Sequence, residues 1–304
     1  MIKFSSLFKS ASEQGSPPLP NPGPESLPEP PPQANNYILV ILDSCRWDSF
    51  VQAQPTTALA LGDPEPRWSY ASWTAPSHYN LLMGLLPHTS PPQVFASQLY
   101  QQEYAAYNRR LHVEGIAFQK LLPQLYLPTF LKHTLGYRTR ALVSLPVLNP
   151  KTLLNHDFDS YDLMPTHNDL AGMIDRLQFD PQRPTFYLLN VGETHYPYAL
   201  PTEDPSQFPR VSGLHGALKR MGDPGTDAPF FLPEQMQAMH QRQIRTVQYV
   251  DTLLEKLFDV VPPRTFITIT ADHGELFGED GYFGHGPIHH EKVWQVPFLE
   301  GQIR

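Results

Sequence analysis

The chain has 304 residues, of which 40% are hydrophobic and 17% are charged, a composition that supports a buried core and excludes a coiled coil or a wholly disordered chain. Lys and Arg number 22 against 30 Asp and Glu, and the net charge of −8 argues against nucleic-acid binding, which needs a basic surface. A single cysteine, Cys45, excludes an internal disulfide. Because no leader-like segment and no apolar run of about 20 residues is present, we expect a cytoplasmic location.

The first 35 residues are rich in proline. Nine prolines lie between Pro17 and Pro32, and such a stretch neither donates regular backbone hydrogen bonds nor buries a face. We therefore predict a disordered, polyproline-II-like arm over residues 1–35 and one folded domain over residues 36–304. Pro17 and Pro20 form a PxxP motif that an SH3-type partner could bind, although a solvated spacer is the favoured interpretation.

Four apolar runs predict buried strands, and they cover residues 37–42, 140–145, 185–191 and 265–270. None of them alternates regularly between apolar and polar residues, which is typical of parallel strands covered on both faces. Between the third and the fourth run, one apolar helical stripe is formed by Ile244, Val247, Val250, Leu254 and Leu257. This order predicts an α/β fold with a mostly parallel central sheet and helices on both faces.

Acidic and imidazole side chains follow the predicted strands at their carboxyl ends. Asp43 follows the first strand, His195 the third, and Asp272 with His273 the last; His285 comes twelve residues after His273. Because the carboxyl ends of parallel strands meet at one edge of a sheet, we expect these side chains to lie close together. Oxygen and imidazole ligands suit Zn²⁺ or Mn²⁺. Taken singly, an aspartate there usually caps the next helix, so the prediction of a metal site depends on the coincidence of these residues at several strand ends.

Thr74 opens a predicted helix whose first turn contains Pro76, a residue suited to that position. At a helix N-terminus, free backbone N–H groups and the helix dipole favour an anion. A hydroxyl there, in contact with a divalent cation, would have a lowered pKa and could attack phosphorus or sulfur. The alternative is that Thr74 only caps the helix.

Three segments in this order resemble the sulfatase-like branch of the alkaline phosphatase superfamily: ILDSCRWDSF from Ile41, TAPSHYNLLMGLLPH from Thr74 and TADHGELFGEDGYFGHG from Thr270. Smaller landmarks are LGYRTRALVS, HDFDSYDLM and HHEKVWQVPF, and the resemblance extends from about Tyr37 to Phe298. It implies an alkaline phosphatase-like fold, with a catalytic domain over residues 36–304 whose C-terminal subdomain is short or missing.

The resemblance also implies a principal metal held by Asp43, Thr74, Asp272 and His273. His195 and His285 match histidines that, in the phosphoethanolamine transferase and lipoteichoic acid synthase branches, bind the transferred phosphate group or a second cation. The implied catalytic residues are therefore Thr74, His195 and His285. One or two divalent ions are expected, with Zn²⁺ or Mn²⁺ preferred to Ca²⁺.

True sulfatases have a Cys or Ser, oxidised to formylglycine, where Thr74 stands, and an Arg where His78 stands. Threonine cannot give that aldehyde, because its β-carbon bears a methyl group. We therefore predict a metal-dependent hydrolase or transferase that acts on a small-molecule or lipid-headgroup phosphate ester through Thr74. Two alternatives stay open: a sulfatase-type ester hydrolase in which Thr74 is only a ligand, and a non-catalytic, metal-containing binding module.

Overall fold

The computed structural model describes residues 27–117, 125–204 and 232–303. The strands of this part of the chain are β1 (Asn36–Leu42), β2 (Glu65–Trp68), β3 (Arg138–Val143), β4 (Ser160–Leu163), β5 (Thr185–Val191), β6 (Thr265–Thr270), β7 (Leu276–Phe277), β8 (Phe283–Gly284) and β9 (Gln295–Gln302). Seven of them form one sheet in the order β2-β9-β6-β1-β5-β3-β4, and β7 and β8 form a separate pair.

The helices of the described residues are α1 (Trp47–Ala53), α2 (Thr56–Leu59), α3 (Thr74–Leu82), α4 (Ala96–Ala105), α5 (Tyr107–Leu111), α6 (Leu127–Leu135), α7 (Leu170–Asp175), α8 (Pro233–Val260) and α9 (Glu291–Trp294). Three 3-10 turns cover Pro146–Leu148, Leu153–Asn155 and Glu279–Gly281. None of these helices combines the length and the apolar composition that crossing a bilayer requires.

The sheet is mostly parallel, as predicted. β1 pairs in parallel with β5 and β6, and β3 pairs in parallel with β5 and β4. Only β9 is antiparallel to its neighbours, β6 and β2. The four predicted apolar runs correspond to β1, β3, β5 and β6, with β3 beginning two residues before its run.

Helices cover both faces of the sheet, which explains why β1 is a continuous apolar run. Ile38 and Val40 belong to a core that includes buried side chains of α1 and α8. Leu39 and Ile41 belong to a second core on the opposite face, with buried side chains of α3 and α6. Since consecutive residues of a strand point to opposite faces, both sets must be apolar.

The described end of the predicted N-terminal arm contacts the folded domain. Arg183 Nη1 donates to Pro28 O at 2.7 Å, and Tyr137 Oη donates to Asn35 O at 2.8 Å. Contacts with the domain therefore begin before residue 36, because the half-buried Arg183 and the buried Tyr137 both donate to backbone carbonyls of the arm. Residues 1–26, with the PxxP motif, lie outside the described residues, and the polyproline-II arm stays a prediction there.

The three adjacent strands β5, β1 and β6 end at the same edge of the sheet. Leu42 pairs with Val191, and Ile41 pairs with Thr270. The residues that follow these strands therefore meet at the centre of the sheet, where open α/β sheets bind their ligands.

Candidate active site

Asp43, Asp272 and His273 form a buried cluster at this edge. Their possible ligand atoms all lie within 4.8 Å of one another, and all three residues are fully buried. Asp43 follows β1, and the other two follow the neighbouring strand β6. The structure thus brings Asp43 next to two adjacent residues that lie more than 220 positions later in the sequence.

One carboxylate oxygen of Asp272 has no hydrogen-bond partner among the described residues. Asp272 Oδ1 accepts from Ser44 N at 3.0 Å and from His273 N at 2.9 Å, whereas the buried Oδ2 accepts no hydrogen bond. The Ser44 N–H points at this carboxylate because Ser44 has a left-handed backbone conformation (φ 61°), which residues other than glycine rarely adopt. Burial, followed by the charge of Asp43, raises the pKa of Asp272 well above its usual value.

The other carboxylate, Asp43, is held by hydrogen bonds. Asn190 Nδ2 donates to its Oδ2 at 2.8 Å, and Ser44 Oγ donates to its Oδ1 at 3.3 Å. Burial alone would raise the pKa of Asp43, but the nearby histidines, His195 first, and the Asn190 amide outweigh burial and lower it. One carboxylate is thus ionised while the other favours a proton. A divalent cation could replace that proton, neutralise both groups and occupy the unpartnered oxygen, so the residues present fit a metal.

His273 presents one ring nitrogen to this cluster. Its Nδ1 donates to the Gly274 carbonyl at 2.9 Å, which assigns the lone pair to Nε2. Burial, followed by the charge of His285, lowers the pKa of His273 well below its usual value. A neutral imidazole whose second nitrogen is fixed by a backbone carbonyl is the form that ligates metals.

Thr74 points its hydroxyl at the cluster instead of capping its helix. It is the first residue of α3, and the N-cap position is taken by Trp73, whose side chain makes no capping bond. Thr74 Oγ1 lies 3.5 Å from Asp43 Oδ1 and 3.3 Å from His273 Nε2. Pro76 occupies the first turn of α3, as predicted.

His195 and His285 lie beside the cluster. The ring centroid of His285 is 4.2 Å from that of His273 and 5.8 Å from that of His195. His285 Nδ1 donates to Glu275 Oε1 at 2.8 Å, and this carboxylate outweighs burial and raises the pKa of His285. Together with Thr74, the two histidines line a pocket of about 390 Å³.

Two residues of the site were not found from the sequence. Asn190 donates to Asp43, and its Oδ1 accepts from Ser144 N at 3.1 Å, so it ties the end of β3 to the cluster. His78 is fully buried one turn after Thr74 and donates from Nδ1 to the Thr74 carbonyl at 2.8 Å. For Asn190, the signal in the sequence was an amide near the carboxyl end of an otherwise apolar strand. For His78, it was the spacing of four residues from Thr74, which places both residues on the same side of a helix.

Comparisons with known proteins agree with this fold. A sulfatase family model matches residues 35–299. Similar solved structures include the C-terminal periplasmic domain of EcEptC from Escherichia coli in complex with Zn, at 15% identity and a TM-score of 0.53, covering 92% of this chain and 78% of that one. The soluble domain of lipooligosaccharide phosphoethanolamine transferase A from Neisseria meningitidis follows at 14% identity and a TM-score of 0.52, covering 90% and 79%.

A third similar structure is a 2-O GAG sulfatase, at 12% identity and a TM-score of 0.52, which covers 90% of this chain and 66% of that one. No curated protein sequence matches the chain. At such low identities, likeness to these structures shows a shared fold, the alkaline phosphatase-like α/β fold predicted from the sequence.

Proposed function

The chain belongs to the sulfatase family, and from this membership and its site we propose that it is a metal-dependent hydrolase or transferase of phosphate esters. The observation that carries the proposal is the position of Thr74 Oγ1, 3.5 Å from Asp43 Oδ1 and 3.3 Å from His273 Nε2. Two of the similar structures belong to proteins named EcEptC and phosphoethanolamine transferase, which supports transfer of a phosphate-containing group.

The residues that would hold the metal are Asp43, Asp272 and His273, with Thr74 as a further oxygen ligand. A divalent cation bound there would stabilise the alkoxide form of the Thr74 hydroxyl. Two carboxylates and one imidazole suit Zn²⁺ or Mn²⁺, and one of the similar structures was solved with Zn. The unpartnered Asp272 Oδ2 supports a ligand at this position.

The side chains of the site supply the remaining parts of a two-step reaction. The N-terminus of α3 favours the phosphate anion next to Thr74. The Thr74 hydroxyl would give its proton to solvent, and its Oγ1 attacks phosphorus in line, so that a bond to the threonine oxygen forms while the ester bond to the leaving alcohol breaks. His195 and His285 stabilise the phosphate oxygens, and a protonated His285 can give its proton to the leaving oxygen. Water or an acceptor alcohol then attacks the phosphothreonine, the bond between phosphorus and Oγ1 breaks, and the proton of the attacking group restores the Thr74 hydroxyl.

Sulfate esters are the second candidate, because the family model and one similar structure carry that name. In that case Thr74 would be only a ligand, since a threonine cannot be oxidised to the aldehyde that sulfatases use. A non-catalytic binding module is the third candidate. The presence of all the expected ligands in one buried cluster argues against it, because a degenerate site loses ligands.

Replacing the proposed nucleophile tests the proposal. In metal-loaded protein, Thr74→Ala should lower the rate of alcohol release from aryl phosphate mono- or diesters at least about 1,000-fold, while bound metal is partly retained. Thr74→Ser should keep part of the activity, and Thr252→Ala, at an exposed position of α8, serves as the matched control. Full activity of Thr74→Ala, or faster cleavage of an aryl sulfate than of every phosphate ester, would contradict it.

A further inference from the structure

The pocket beside Thr74 is lined mostly by aromatic and aliphatic side chains. Thr74, His195, Glu275 and His285 are the strongly polar residues of the 390 Å³ space. Apart from Gly284, the other lining residues are aromatic or aliphatic, with the Tyr196 hydroxyl and the Trp73 indole N–H as their polar groups: Trp73, Leu145, Pro146, Val147, Tyr196 and Phe283. A cavity of this size is large enough for a small-molecule group in addition to the ester itself.

Two apolar side chains at this pocket are unusually accessible. Trp73 is 51% exposed, and Val147 is 44% exposed. Trp73 directly precedes Thr74, whereas Val147 belongs to the 3-10 turn Pro146–Leu148, which packs against α3. Single exposed apolar residues are common on protein surfaces, but these two lie on different elements around one pocket that also contains the proposed nucleophile.

The pocket offers little to a highly polar group. None of its described lining residues is a lysine or an arginine. Both oxygens of the Glu275 carboxylate already accept a hydrogen bond within the protein, from His285 Nδ1 at 2.8 Å and from Tyr198 Oη at 2.7 Å. A second anionic group would meet no cationic Lys or Arg among the described lining residues, and a sugar with several hydroxyls would lose more hydrogen bonds to water than the few polar groups of this pocket return, which costs free energy.

We propose that the ester bound at Thr74 carries an apolar alkyl or aryl group, and that Trp73 and Val147 select for it. The inference rests on the proposed function for the chemistry at Thr74, but the binding of the apolar group does not require turnover. The apolar group leaves water on binding, and its contacts with the indole and isopropyl groups provide the gain in affinity.

The test uses phosphonates, whose C–P bond the enzyme does not hydrolyse, and measures their binding to the metal-loaded full chain by calorimetry. Affinity should rise about fourfold for each methylene from methylphosphonate to butylphosphonate, the equivalent of about 0.8 kcal/mol per group. Phenylphosphonate should also bind more tightly than a hydroxyalkyl phosphonate of similar size. Trp73→Ala and, independently, Val147→Ser should reduce the preference for butylphosphonate over methylphosphonate about tenfold.

Phe95→Ala is the matched control, because Phe95 is an aromatic residue that is 77% exposed and does not line this pocket. Equal affinity for the methyl and butyl compounds, an unchanged preference in both variants, or no binding of any phosphonate would overturn the inference. If longer phosphonates bind more tightly but the matching esters are not turned over, the inference of an apolar group is supported and the proposed function is contradicted. If esters are turned over without any chain-length preference, the proposed function is supported and the inference is contradicted.

Discussion

At the scale of single residues, the two buried aspartates of the cluster differ in how their oxygens are satisfied. Asp43 accepts hydrogen bonds on both oxygens, from Ser44 and Asn190. Asp272 accepts them on Oδ1 only, and its Oδ2 lies 3.4 Å from His273 Nε2, a nitrogen whose lone pair cannot donate. Without a cation, the position of Asp272 therefore costs folding free energy, whereas a cation bound as proposed would take its Oδ2 as a ligand.

This asymmetry predicts opposite effects of Asp272→Asn with and without metal. In the presence of a chelator, the variant should be more stable than the wild type by about 1–3 kcal/mol, because the amide can donate to His273 Nε2 without the proton uptake that burial of the Asp272 carboxylate requires. At a free metal concentration about 100 times the dissociation constant of the wild type, the unfolding free energy of the wild type should increase by about 2.7 kcal/mol. That of the variant should increase by almost nothing. Urea unfolding in both conditions measures the two differences.

Asp63→Asn, at an exposed position, is the control for this pair of measurements and should change neither value by more than about 0.5 kcal/mol. If Asp272→Asn were destabilising in chelator and were stabilised by metal as strongly as the wild type, Asp272 would not be a ligand.

The residues of the site differ in how far the sequence could identify them. Asp43, Asp272 and His273 follow strands that apolar runs predict, so a shared location could be expected. The expectation that Thr74 faces these residues came from the family resemblance. The helix pattern alone also allowed Thr74 to be only a helix cap. Asn190 was missed because an isolated amide in a strand shows its role only when the register places it beside Asp43.

At the scale of elements, Arg46 connects three segments around the site. Its Nε donates to Asp48 Oδ1 in α1 at 2.7 Å, and its Nη1 donates to Glu279 Oε1, at the start of a 3-10 turn, at 2.7 Å. Lys292 of α9 adds a bond to Asp48 Oδ2 at 2.9 Å. Burial would raise the pKa of Asp48 and of Glu279, but Arg46, with Lys292 at Asp48, outweighs burial and lowers both.

The lowered pKa values of these carboxyl groups predict acid sensitivity. Both are ionised in the folded and unfolded chain above about pH 5.5, where their ion pairs contribute in full. Below that pH the unfolded chain takes up protons first, so the unfolding free energy decreases as the pH falls. Replacing both groups (Asp48→Asn with Glu279→Gln) should make the slope between about pH 4 and pH 2 shallower by up to about 1.4 kcal/mol per pH unit for each carboxyl.

Denaturant unfolding at a series of pH values measures this slope. The exposed Asp63→Asn should leave it almost unchanged. A double variant with the slope of the wild type would show that Arg46 does not stabilise the charged form of these carboxylates.

A second element-scale prediction concerns the close approach of the loop after β6 to α9. A β-carbon on Gly274 would lie 2.0 Å from the backbone oxygen of Lys292, which cannot move without displacing α9. Gly274→Ala should therefore destabilise the protein by more than about 3 kcal/mol and weaken metal binding, because the clash displaces the loop that carries Asp272 and His273.

Gly281→Ala is a suitable comparison. A β-carbon there meets no atom within 4 Å, so only the strain of its φ of +79° remains, about 1–2 kcal/mol. Thermal unfolding and metal titration distinguish the two variants. Equal losses of stability with unchanged metal affinity would show that the Gly274 contact does not position the ligands.

The central elements were predictable, and the peripheral ones were less so. β1, β3, β5 and β6 are buried over most of their length because both of their faces are covered, and each contains an apolar stretch. The edge strands β2 and β4 have only four residues each and include charged side chains, so no apolar run marks them. Helix α4 buries only Tyr104, which leaves its amphipathic pattern weak.

At the scale of the whole molecule, β1 lies between β5 and β6 in the sheet, and one hydrophobic core packs on each face. This strand order places the residues that follow β5, β1 and β6 next to one another, which forms the site. The α/β class follows from buried runs separated by helical patterns, which the sequence shows directly. The order of the strands is set by pairing between distant segments, such as Ile41 with Thr270, and no local pattern contains it. The apolar pocket also depends on distant elements and could not be predicted from local sequence.

The proposed function requires one divalent cation held by Asp43, Asp272 and His273 next to the Thr74 hydroxyl. Anomalous diffraction from crystals of metal-loaded protein locates such a cation. We expect a peak about 2.0–2.3 Å from an oxygen of each carboxylate, from His273 Nε2 and from Thr74 Oγ1. A peak coordinated by other side chains, or no peak in this cluster at saturating metal, would contradict it.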